Sequence, residues 1–234
     1  QMKPSFCGWY FKVQSSECSI ALIPAVHGST EESAASLQIL WGEQSGVIPM
    51  RADRAAVSWA SPRAILGENL FCSRGVSLSV RSAHWNIQGA SLRPTAAIAH
   101  ANYGPLCAAA IYGVQPSDCQ YEASGGRDTV CEWKRIRFEN AEGYIEGDRG
   151  RSFPREYAWS QCLFPEGSLM LAAARVPVGP IAFPGVLPAE IRGREYRFAS
   201  YLGARLVSAR GGWMEIRQRN LVLTAERIGQ AGQP

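Results

Sequence analysis

Apolar and polar residues alternate along this chain in short runs, punctuated by Gly, Pro, Asn and Ser. That is the pattern of a meander of antiparallel strands, and helical periodicity is scarce. Residues 6–13 and 19–26 make a first pair of runs, joined by the polar Gln14-Ser15-Ser16-Glu17, and are expected to form a hairpin. Further strands are expected at 35–41, 55–60, 76–80, 85–88 and 130–138, where β-branched and aromatic residues mix with polar ones. The second half continues the pattern at 157–163, 168–176, 181–189, 195–201, 204–208, 213–218 and 221–225. Fourteen strands at this spacing predict an all-β barrel or sandwich. Residues 116–128, rich in Ser, Gly and Asp, read as an exposed loop or a seam between two β-lobes. The organisation expected is a single β domain over 1–228 with a frayed tail at 229–234.

Composition narrows the class. The 234 residues, 46% hydrophobic and 19% charged, are enough to bury a substantial core. A formal charge of +4, from 24 basic and 20 acidic residues scattered along the chain, gives little reason to expect a nucleic-acid partner. No stretch reaches the roughly 18 uninterrupted apolar residues of a membrane-spanning helix. The first residues, Gln1-Met2-Lys3-Pro4, lack the apolar core of a signal peptide, so a cytoplasmic location is expected. Seven cysteines at irregular spacing form no CxxC pair and read as reduced thiols. With only His27, His84 and His100, no HExxH arrangement exists, and neither a metal nor another cofactor is expected.

Two segments stand out chemically. In Gly8-Trp9-Tyr10-Phe11-Lys12, strand alternation sends Trp9 and Phe11 to one face and Tyr10 and Lys12 to the other. The aromatic face is either a core plug or a pocket wall. The second segment runs from Gly143 through Glu146-Gly147-Asp148-Arg149-Gly150-Arg151 to Tyr157-Ala158-Trp159-Ser160-Gln161-Cys162. It reads as strand, charged Gly-rich turn and strand, with Glu146, Asp148, Arg149 and Arg151 gathered in the turn and Tyr157, Trp159 and Gln161 on one face of the following strand. A carboxyl beside apolar rings is pushed toward its neutral form while a neighbouring Arg pulls the other way, so Glu146 and Asp148 are the candidate proton donors. The bland alternative is an Asp–Arg lattice that pins a long turn. Gly147 and Gly150 are read as giving that turn backbone freedom, since their spacing matches neither a P-loop nor a dinucleotide fingerprint. No GxSxG elbow is present.

The segments GWYFK (8–12) and EGDRGRSFPREYAWSQC (146–162) resemble the tocopherol cyclase family. The likeness extends to Ala21-Leu22-Ile23-Pro24, Ser36-Leu37-Gln38-Ile39, Val178-Gly179-Pro180 and Gly193-Arg194-Glu195-Tyr196-Arg197. It is poor over about 83–132, and Cys7 stands where members tend to carry an acidic residue. The resemblance implies a lipocalin-like β-barrel, related in architecture to carotenoid hydratases and some Diels–Alder cyclases. It implies cofactor-independent closure of a chromanol ring from a prenylated quinol: a proton added to the prenyl double bond gives a tertiary cation that the phenol oxygen captures. On that reading Asp148 or Glu146 is the acid, Trp9, Tyr157 and Trp159 line the cation site, Tyr10 contacts substrate, and Gln161 or Arg149 orients the quinol oxygen.

A carrier that holds an apolar small molecule in the same interior without changing it is the rival reading. A structural protein with a filled barrel is the third. An apolar substrate resides in membranes, so peripheral contact through exposed aromatic and Arg residues is expected in place of an integral span. Oligomeric state is not legible in the sequence.

Overall fold

A computed structural model describes residues 6–15, 19–28, 33–41, 44–72, 75–81, 86–91, 99–102, 107–124, 133–150, 156–164, 167–175, 187–191, 194–198, 202–210 and 212–226. The chain divides into two compact units, Gln1–Ser152 and Phe153–Pro234. Among the described residues every regular element is a strand, apart from short 3-10 turns such as that at Ala52–Arg54. No helix among them is long and apolar enough to cross a membrane.

The first unit holds β1 (Phe6–Gln14), β2 (Ser19–Gly28), β3 (Ser33–Trp41), β4 (Gln44–Met50), β5 (Ala55–Ser58), β6 (Arg63–Leu66), β7 (Asn69–Cys72), β8 (Gly75–Arg81), β9 (Asn86–Ser91), β10 (Ala99–Asn102), β11 (Cys107–Ser124) and β12 (Trp133–Gly150). All are antiparallel neighbours in one twelve-stranded sheet, ordered β4-β3-β2-β1-β12-β11-β9-β8-β7-β6-β5, with β10 paired to β11. Among the described residues the sheet does not close into a barrel. Instead it folds over, so that β5 and β6 pack across the face of β1 to β3 in the manner of a sandwich.

Alternation along β1 explains what fills that fold. Trp9, Phe11 and Val13 point inward with Ile20 and Leu22 of β2, Leu37 and Ile39 of β3, Leu66 of β6, Phe71 of β7, Leu78 of β8 and Ile145 of β12. The Phe11 and Phe71 rings lie 5.8 Å apart across the layer. Burying such side chains is worth about 1.5–3 kcal/mol each, which makes this face the main stabilising element of the unit. Tight turns set the register: Gly67, at φ +64°, supplies the left-handed first position of the two-residue β6–β7 turn. Buried Asn69 then ties the turn to β8, donating to the Leu66 carbonyl at 2.8 Å and accepting from the Ser79 amide at 2.8 Å.

The second unit holds β13 (Glu156–Phe164), β14 (Gly167–Arg175), β15 (Leu187–Ile191) and β16 (Arg194–Phe198) in one antiparallel sheet. A second sheet is made of β17 (Arg205–Arg210), β18 (Trp213–Gln218) and β19 (Leu221–Glu226). Phe198, Ala204 and Ile216 form a small core there, joined by Tyr196, Met214, Leu221 and Leu223.

The all-β antiparallel architecture and the 6–13/19–26 hairpin appear as expected, the latter in register from Phe6 opposite His27 to Gln14 opposite Ser19. Two expectations are corrected. Residues 116–124 are not a loop or seam but the far half of β11, paired with β9 and β12 despite Pro116; residues 125–130 lie outside the described set. Residues 146–150 are not a turn either, because β12 continues as strand to Gly150. The reason is pairing: β1 and β11 flank this segment on both sides and satisfy its backbone, so its glycines stay extended.

Candidate active site on strand β12

The two segments that stood apart in the sequence are hydrogen-bonded neighbours. β1 runs antiparallel to the end of β12 with Gly8 opposite Asp148, Trp9 opposite Gly147, Tyr10 opposite Glu146 and Cys7 opposite Arg149. Period-2 alternation then sorts every candidate on these strands onto one of two faces.

The inner face carries Trp9, Gly147, Cys7 and Arg149. The buried Trp9 indole donates from Nε1 to the Ser58 carbonyl at 2.7 Å and lies 5.7 Å from the Trp59 ring. Arg149 stacks its guanidinium 4.5 Å over Trp59. Beside it, burial pushes the Cys7 thiol up while the Arg149 charge pulls it down, burial being the larger effect. A Cβ on Gly147 would sit 2.6 Å from Cζ3 of Trp9, so Gly147 is needed for the indole and not for a turn. Trp9 is thereby a packed core residue with its polar atom satisfied.

The opposite face carries Tyr10, Tyr144, Glu146 and Asp148. Tyr144 and Glu146 are only 2% and 4% exposed, and the Tyr144 hydroxyl donates to Glu146 Oε2 at 2.8 Å. The Tyr10 and Tyr144 rings meet edge to face at 6.1 Å. Burial, and then the Glu146 charge, push the Tyr10 phenol far above its usual value. Asp148, two positions from Glu146 on the same face, has its carboxyl pushed up to about 6 by burial. Gly8 opposite it contributes no side chain, and a Cβ there would meet the Ala25 Cβ at 3.0 Å.

The structure therefore brings Asp148, Glu146 and Tyr10 together and sends Arg149 and Trp9 through to the other side of the sheet. The convergence of carboxylates with Arg149 expected from the turn is corrected, since consecutive residues of a strand, such as Asp148 and Arg149, point to opposite faces. Arg151 lies outside the described residues. Tyr157, Trp159 and Gln161 occupy alternate positions of β13 in the second unit; Trp159 is exposed and Gln161 half-buried. Tyr144 and Trp59 were missed by sequence reasoning. Alternation from Glu146 backwards would have found Tyr144, whereas Trp59 is far away in sequence and carries no local signal.

Chemically, the face offers a carboxyl that holds its proton to near neutral pH, a second carboxyl fixed by a phenol, and two aromatic rings. Groups of these kinds are the ones that acid–base chemistry uses.

No family model matches the chain, and no curated protein matches it in sequence. The fold does have a solved counterpart. The chain resembles kievitone hydratase from Nectria haematococca. The two superpose with a TM-score of 0.52 at 10% sequence identity, covering 93% of this chain and 74% of that one. Similarity at this level shows a shared fold.

Proposed function

We propose that the protein is a cofactor-independent, proton-initiated cyclase acting on a prenylated quinol or related isoprenoid, with Asp148 as the acid. The observation that carries this is the Asp148 carboxyl, neutral up to about pH 6 on a face it shares with Glu146, Tyr10 and Tyr144. The tocopherol cyclase resemblance of the two segments that pair here supports it. So does a structural neighbour named as a hydratase, because acid-catalysed hydration of an alkene and this cyclisation share a first protonation step.

The steps balance without a redox partner. The O–H bond of Asp148 breaks as a C–H bond forms at the less substituted alkene carbon, leaving a tertiary cation. The rings of Tyr10 and Tyr144 lie on the side of the sheet that Asp148 occupies, and their π faces favour that cation. The substrate's phenol oxygen then forms the C–O bond and releases its proton to the Asp148 carboxylate, which restores the acid. Tyr144 holds Glu146 in one orientation beside this path. Trp9, on the inner face, acts through packing.

Incubation with a methyl-phytyl-benzoquinol in deuterated water tests the proposal by mass spectrometry. The expected product is a chromanol carrying one solvent deuterium at carbon, lost in Asp148→Asn. Quinol that quenches tryptophan fluorescence yet is never converted would establish a carrier instead.

A further inference from the structure

We propose that the β17–β19 sheet is a docking surface for an anionic lipid bilayer. Residues 202–226 carry Arg205, Arg210, Arg217 and Arg219 against Glu215 and Glu226, a local charge of +2 out of +4 for the whole chain. Glu215 is already engaged by Arg217. Arg205 and Arg210 make no ion pair with a carboxylate among the described residues.

Register places these cations in rows with half-buried Trp213 and exposed Val222. Arg205, Arg217 and Val222 form one cross-strand row, and Arg210, Trp213 and Glu226 another. Val222 is 57% exposed. β17 is an edge strand, and a bulge between Leu206 and Ser208 leaves Val207 as the extra residue, 52% exposed beside Leu206 at 45%. Leu202, just upstream, is also exposed. Leu206, Val207, Ser208 and Arg210 together line an open depression. Large aliphatic side chains on an unprotected sheet edge invite aggregation unless something covers them. Arginines around insertable Leu and Val side chains suit anionic headgroups above an acyl interior. A nucleic-acid partner would use the charges but leaves the depression and the Leu206–Val207 edge without a role.

The proposal extends the assigned chemistry, since an isoprenoid quinol resides in bilayers. Vesicle binding is read without substrate or turnover, so failure of one reading leaves the other standing. The full chain is mixed with vesicles of phosphatidylcholine alone or with 30% phosphatidylglycerol by mole, and partitioning is measured by flotation. Binding to the anionic vesicles is expected, falling on the order of 20-fold in Arg205→Gln/Arg210→Gln from the loss of two surface cations. Leu206→Ser/Val207→Ser should weaken binding to both vesicle types. Arg51→Gln, in the first unit and paired with exposed Asp53, should bind as wild type. All four positions in the two double variants are exposed, and unchanged melting temperatures confirm that the fold survives. Absence of vesicle binding, equal binding to neutral and anionic vesicles, or full binding by Arg205→Gln/Arg210→Gln would each overturn the proposal. Retention on heparin without vesicle binding would do the same in favour of a polyanion.

Discussion

Asp148→Asn tests whether the carboxyl is neutral in the folded protein. In the unfolded chain an Asp ionises near 3.8, and in the fold burial raises Asp148 to about 6. Between those values the folded state holds a proton that the unfolded state has released. Stability from this group is therefore fully present below about pH 4 and is lost as pH rises through about 6. The gap corresponds to about 3 kcal/mol at most, with water access to the partly exposed carboxyl lowering it. Asn keeps the shape and cannot ionise. The variant should match wild type near pH 4 and exceed it at pH 7 by about 1–3 kcal/mol, which is several degrees in melting temperature for a chain of this size. Thermal melts of both proteins from pH 4 to 8 supply the difference curve, in which titrating groups away from Asp148 cancel. A difference that is flat with pH, or a variant less stable at pH 7 than at pH 4 relative to wild type, would refute the reasoning. The first would mean an unshifted carboxyl, the second one that is ionised and paired in the fold. The same variant loses turnover on the proposed mechanism, so a gain in stability at pH 7 together with a loss of activity is the signature of a strained catalytic acid.

The remaining expectations concern the same strands. Turnover should fall about tenfold for each pH unit above 6, because the acid form of Asp148 is depleted there; a rate flat from pH 6 to 8 excludes Asp148 as the donor. Tyr144→Phe removes the hydroxyl held 2.8 Å from Glu146 Oε2 and leaves its buried carboxylate one donor short, with an expected loss of about 1–3 kcal/mol in a urea titration. Gly147→Ala puts a Cβ 2.6 Å from the Trp9 ring and should cost about 1–3 kcal/mol, accompanied by altered tryptophan fluorescence; Gly147→Ala with Trp9→Leu should restore part of it. Asn69→Ala removes the side-chain hydrogen bonds to the Ser79 amide and the Leu66 carbonyl, again at about 1–3 kcal/mol, and hydrogen exchange should report faster opening at Ser79.

Local pattern in the sequence was sufficient for the all-β class, for the first hairpin and for the split of Trp9 and Phe11 from Tyr10 and Lys12, because a strand's period of two is written residue by residue. The same period, carried on through 143–150, would have separated Arg149 from Asp148. It was set aside because Gly147 and Gly150 look like turn residues when their neighbours are unknown. What those glycines do is decided by β1, well over a hundred residues earlier: Gly147 makes room for Trp9, and backbone pairing keeps the segment extended. Short strands at β4, β6, β7 and β10 and the whole of β11 also escaped, since pairing partners can hold segments whose own composition favours turns. Which candidates share a face, and which carboxyl is buried deeply enough to keep its proton, are properties of register and burial. The sequence determined the inventory of acids, arginines and aromatics; only the tertiary structure could put Asp148 with Glu146, Tyr10 and Tyr144 and turn Trp9 and Arg149 to the other side, because pairing between distant strands sets the neighbours of every side chain.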